Sequence, residues 1–98
     1  MHVIYKYEVQ APDFEVAMPA QAEILAVQLQ HGKPQMWVLV DPARTVVIRR
    51  FRVYATGEPV VEQIDTKGRS IGYIGTFQMD GGDLVRHLFE IYRDRSDY

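Results

Sequence analysis

The chain opens with an alternation: Val3, Tyr5, Tyr7 and Val9 are separated by Ile4, Lys6 and Glu8, the period-two pattern of a half-buried strand rich in aromatic and branched side chains. Ala11-Pro12-Asp13 punctuates it, after which Phe14, Val16 and Met18 alternate with Glu15 and Ala17 as far as Pro19, predicting a second strand. Residues 20–30 admit two readings. Pro19 and Gly32 stand where the N1 and C′ residues of a helix would stand. Against that, Leu25, Val27 and Leu29 alternate with Ala26, Gln28 and Gln30, and His31-Gly32-Lys33-Pro34 precedes a new apolar run. That arrangement predicts strand, turn, strand, and we prefer it. Met36 to Val40 is unbroken apolar sequence holding the only tryptophan, Trp37, which predicts a core strand covered on both faces. Asp41-Pro42 closes it with a turn.

Thr45 to Thr56 forms a long alternating segment. Val47, Phe51, Val53 and Ala55 share one face with Arg49, while Val46, Ile48, Arg50, Arg52 and Tyr54 share the other. Gly57 to Ser70 has only Val60, Val61 and Ile64 as apolar anchors and reads as a long loop. From Ile71 to Met79 the alternation places Ile71, Tyr73, Phe77 and Met79 on one face. Beyond Asp80-Gly81-Gly82-Asp83, a strand with Val85, His87, Phe89 and Ile91 on one face competes with a helix capped by Asp83. The expected fold is all-β: about seven strands in an antiparallel two-layer sandwich or a partly open barrel. The alternative is α+β with one short helix at 20–30 or 84–92. Residues 1–92 are expected to form a single domain, with 93–98 a charged tail.

Composition narrows the functional classes. A hydrophobic content of 47% beside 24% charged residues belongs to a packed chain, and a domain this small gains from self-association, which buries further apolar surface. The absence of cysteine removes disulfides, thiolate metal sites and thiol nucleophiles. Lys6, Glu8, Asp13 and Glu15 interrupt the region where a secretory signal would be apolar, and no run approaches the roughly 20 residues of a membrane helix. Formal net charge is −2, so a nucleic-acid coat is not indicated.

Candidate chemistry is sparse. The Asp80-Gly81-Gly82-Asp83 segment lacks the glycine spacing and the following lysine of a phosphate loop, and its acids would repel phosphate; it reads as a hairpin turn. His2, His31 and His87 are far apart in sequence, without metal-ligand spacing. No nucleophile elbow is present. No catalytic residue, metal or cofactor is therefore expected. The binding candidates are Arg49, Arg50, Arg52, Tyr54 and His87. Arg50, Arg52 and Tyr54 should project together, and guanidinium forks beside an aromatic ring suit phosphate, carboxylate or a nucleobase, and are also what a protein interface enriches. Cross-strand acids that neutralise these arginines are the plainer expectation.

The segments AEILAVQLQHGKPQMWVLVDP, FRVYATGEPV and YIGTFQMDGGDLVRHLFE together resemble a family of small bacteriophage and prophage domains of unknown function. The resemblance spans roughly Val3 to Glu90. It implies a β-rich fold, favours the strand reading of 84–91, and supplies no catalytic residues. It associates the Gly57-Glu58-Pro59 corner with a Gly-His-Pro version. The implied setting is the cytoplasm of an infected bacterium. There the chain would act as a non-catalytic binding protein on a host or phage protein, for example to blunt defence. Two further expectations are an oligomer that binds an anionic small molecule or nucleotide signal, and a minor virion component.

Overall fold

The computed structural model describes residues 1–60 and 70–92. Among them are seven strands: β1 (Val3–Glu8), β2 (Asp13–Pro19), β3 (Glu23–Gln30), β4 (Lys33–Val40), β5 (Val46–Ala55), β6 (Ser70–Met79) and β7 (Leu84–Tyr92). They form two antiparallel sheets, one ordered β1-β4-β3 and the other β2-β5-β7-β6. The sheets are layered and not closed on themselves. The chain is thus an all-β sandwich, and the segments 20–30 and 84–92 hold the strands β3 and β7 with no helix in either. The predicted tail at 93–98 and most of the predicted loop at 57–70 lie outside the described residues.

Turn chemistry sets the hairpins. Gln30 pairs with Lys33, and the two residues between them, His31 and Gly32, have φ of 53° and 78°, the paired positive values of the tight turn whose twist matches its strands. His31 is therefore a turn residue. The β6–β7 hairpin turns through Asp80–Gly82, with Asp80, Gly81 and Gly82 all at positive φ; the double glycine is a change of chain direction. Asp41 accepts from the Ala43 amide at 3.1 Å, and that bond, with nearby positive charge, holds its carboxyl below the ordinary carboxylate range.

The core lies between the sheets. Met36, Val38 and Val40 of β4 face Met18, Phe51 and Leu88 of the larger sheet, all fully buried, and Phe14 stacks on Phe51 at 5.1 Å. Burial of each such side chain stabilises by about 1.5–3 kcal/mol relative to exposure.

Two expectations drawn from the apolar pattern need correction. First, β4 is central in its sheet and, among the described residues, covered on one face only. Trp37 and Leu39 pair sideways with Lys6 and Ile4 of β1 and point away from the core, where no described element is layered on them. An apolar run marks a strand without marking how many of its faces are packed. Second, the predicted β6 face of Ile71, Tyr73, Phe77 and Met79 is split. A one-residue bulge at Ile74, between Tyr73 and Gly75, sends Ile71 and Tyr73 outward and Phe77 and Met79 inward. A similar irregularity at Leu25 in β3 leaves that leucine exposed while Val27 is buried. Bulges bend a strand and raise its twist, and these two occur on the strands through which the sheets meet. There Gly75 leaves no room for a side chain: a Cβ would sit 2.6 Å from Val27 Cγ1.

Candidate functional site

The five binding candidates divide between the two faces of the β2-β5-β7-β6 sheet, Arg49, Arg50, Arg52 and Tyr54 on β5 and His87 on β7. Arg49 points inward. Its Nε and Nη2 donate to the two carboxylate oxygens of Glu90 on β7, each at 2.7 Å, and Nη1 donates to the Ala22 carbonyl at 2.6 Å. The Met18 sulfur lies 3.5 Å from the same Nη1. With side chains 13% and 4% exposed, this is a buried bidentate pair that joins β5 to β7 and reaches the residue just before β3 in the other sheet. Arg49 is a tie between layers rather than part of an open binding face. Beside it Tyr92 covers Gly72, whose Cβ would meet the phenol ring; burial, then the Glu90 charge, holds the Tyr92 hydroxyl above its ordinary value against the opposing effect of Arg49.

Arg50, Arg52 and Tyr54 do project together on the outer face, as the alternation requires. Register places Glu15 opposite Arg50 and Asp13 opposite Arg52, and the charged groups approach at 3.6 and 3.8 Å. The arginine stripe is thus neutralised from within by β2, in the cross-strand pattern that stabilises sheets. Arg52 also lies over the Tyr54 ring, 5.3 Å from its centre. Tyr54 is only 1% exposed, and its buried hydroxyl has no hydrogen-bond partner among the described residues. Desolvating a hydroxyl without pairing it is costly, so Tyr54→Phe should raise stability by about 1 kcal/mol. The midpoint of urea unfolding measures this; a loss of that size instead would mean the hydroxyl is paired.

The register of β5, β7 and β6 extends this face beyond the arginines. Tyr54 meets Phe89 edge to face at 5.6 Å, and Phe89 meets Tyr73 at 5.5 Å. The row ends on Tyr73, which is 61% exposed. Next to it lies a chain of polar groups: Tyr73 OH contacts Thr76 Oγ1, Thr76 Oγ1 lies 2.9 Å from His87 Nδ1, and His87 Nε2 lies 2.7 Å from Thr56 Oγ1. Each imidazole nitrogen can serve as donor or acceptor according to the tautomer, so the four groups form one continuous chain of polar contacts, the relay of this face. Thr56 is held in place by the corner that follows β5. Its amide donates to Val85, and Glu58 closes the turn by donating its amide to the Ala55 carbonyl and accepting the Ala55 amide at 2.9 Å. The acidic side chain at the Gly57-Glu58-Pro59 corner is therefore a turn clasp.

His87 thus joins Tyr54 on the outer face, while Arg49 does not. Tyr73, Thr76, Thr56 and Phe89 complete the group and were not among the sequence candidates. The bulge at Ile74 concealed Tyr73 and Thr76 as neighbours, whereas Phe89 could have been found from its alternation with His87. Chemically the relay can present oriented hydroxyls. None of the described residues places a carboxylate on the imidazole, the partner that would hold an imidazolium beside a nucleophile. The described residues also contain no group of three or more histidines, cysteines or acids able to hold a metal.

Fold and face together define an all-β sandwich module with an aromatic and hydroxyl-bearing outer sheet face. The chain belongs to the family described as a domain of unknown function, DUF7352, whose model matches residues 1–98. No curated protein and no solved structure matches it.

Proposed function

We propose that this chain is a non-catalytic binding module that holds a protein partner on the outer face of the β2-β5-β7-β6 sheet. The observation that carries this reading is the row Tyr54-Phe89-Tyr73 ending beside the Tyr73-Thr76-His87-Thr56 relay. Partly exposed tyrosine beside fixed polar groups is the composition that anchors protein interfaces. The internal pairing of Arg50 and Arg52 with Glu15 and Asp13 favours a protein over a free anion, because an anion would have to compete with carboxylates already in place. The sequence resemblance supplies the setting, a host or phage protein in an infected bacterium.

The test is affinity capture from infected bacterial lysate, with quantification of a stoichiometric partner. Tyr73→Ala should weaken the partner's affinity by roughly 2 kcal/mol or more, the cost of losing an interface anchor, and Arg50→Ala should change it far less. Equal recovery by both variants, or no stoichiometric partner, would sink the proposal.

A further inference from the structure

We infer that the hydrogen-bond character of Tyr73, the exposed end of the aromatic row, is set by the protonation of His87 acting through Thr76. The use of this coupling rests on the partner-face reading above, whereas the coupling itself belongs to the free chain. Its basis is geometry. Thr76 Oγ1 stands between two groups, in contact with Tyr73 OH on one side and 2.9 Å from His87 Nδ1 on the other, and it has a single hydrogen to give. The far ring nitrogen, Nε2, lies 2.7 Å from Thr56 Oγ1. Both nitrogens are therefore engaged by hydroxyls, which donate or accept as their neighbours require.

Counting hydrogens gives the states of this chain of contacts. With the imidazole neutral and its proton on Nε2, Nδ1 takes the Thr76 hydrogen, Thr76 accepts from Tyr73, and the Tyr73 oxygen is left to accept from outside. With the proton on Nδ1, every bond reverses: Nδ1 donates to Thr76, Thr76 donates to Tyr73, and the Tyr73 hydrogen points outward. Imidazolium donates from both nitrogens, so only the second arrangement at Tyr73 survives. Neutral His87 thus offers a partner either a donor or an acceptor at Tyr73, and charged His87 offers a donor alone. A partner group that donates to Tyr73, such as a backbone amide or an ammonium, loses affinity as pH falls through the range of about 8 to 5 in which histidines gain charge.

The titratable or charged side chains around His87, among the described residues, are Tyr54 and Arg52 on the same face of β5, Glu58 at the corner after β5, Tyr73 on β6, and Asp80 and Asp83 in the β6–β7 turn. The Glu58 carboxylate accepts the Ala55 amide and Arg52 faces Asp13. Arg86 and Glu90 of β7 alternate to the opposite face.

The test is nuclear magnetic resonance of the free protein isotope-labelled at tyrosine Cζ, with the His87 ring followed in the same sample across that pH range. The Tyr73 Cζ signal should shift with the same midpoint as the His87 ring. Thr76→Val keeps the shape of the side chain and removes its hydroxyl; there His87 should still titrate while Tyr73 no longer follows. Thr76→Ser should follow as the unaltered chain does, and circular dichroism establishes that each variant keeps the sheet fold. A Tyr73 signal that stays flat in the unaltered chain would overturn the inference. So would one that follows His87 equally in Thr76→Val, since a field through space would then suffice, or a Thr76→Ser variant that behaves like Thr76→Val. No partner is present in this experiment, so a failure to capture one sinks the proposed function and leaves the coupling standing, and a flat Tyr73 signal does the reverse.

Discussion

Replacing Arg49 with methionine should lower the unfolding free energy by about 3–5 kcal/mol, since it leaves the Glu90 carboxylate buried with its bidentate partner removed. In a domain of this size each kcal/mol moves the thermal midpoint by roughly 4–8 °C, so the effect is large in a simple melt. The same substitution also removes the donor to the Ala22 carbonyl and so loosens the link to the other sheet. Most of the loss comes from the stranded charge rather than from the attraction of the pair. The double variant Arg49→Met/Glu90→Leu should therefore be clearly more stable than the single one, because apolar groups of similar volume often substitute for a buried ion pair at little cost. A single-variant loss below about 1 kcal/mol, the range of a surface pair, would mean that water reaches the pair and that the sheets are not tied there.

Gly75→Ala should destabilise by about 1–3 kcal/mol, the usual cost of overfilling a packed interior. The added methyl would lie 2.6 Å from Val27 Cγ1, and Val27 is itself buried, with little freedom to withdraw. Val27→Ala should also destabilise, by leaving a hole. The double variant should lose less than the sum of the two, with a coupling energy of about 0.5–3 kcal/mol. Chemical denaturation of all four proteins closes this cycle. Strict additivity would show that β3 and β6 do not touch at this point.

Much of the fold was legible because strand patterning and turn chemistry act locally. The alternations of β1, β2 and β5 and the His31-Gly32 turn each depend on a few neighbouring residues, and each appears in the structure. What failed was counting by twos across a strand that contains an extra residue. Through Leu25 and Ile74 the period rule has no means of seeing that the partner strand skips a place. The candidate site was half legible for a related reason. Parity correctly grouped Arg50, Arg52 and Tyr54, and it also put Arg49 on the apolar face, yet its partner Glu90 is 41 residues away. Only the β5–β7 register brings the two together. Trp37 shows a third limit: hydrophobicity says that a residue seeks cover, and it does not say whether its own chain or another supplies it.

The bulge at Ile74 also bears on how length can vary in this fold. Tyr73 and Gly75 pair with the consecutive residues Phe89 and Leu88, so Ile74 is the one residue between them that the ladder does not count. A relative lacking a residue at this point would keep Tyr73 beside Phe89 and Phe77 in the core, on an even ladder. The same loss two or three positions further along would turn one part of the strand over. Alignment gaps in β6 should therefore collect at a single site, just before the glycine that rests on Val27, and the rest of the strand should vary by substitution alone.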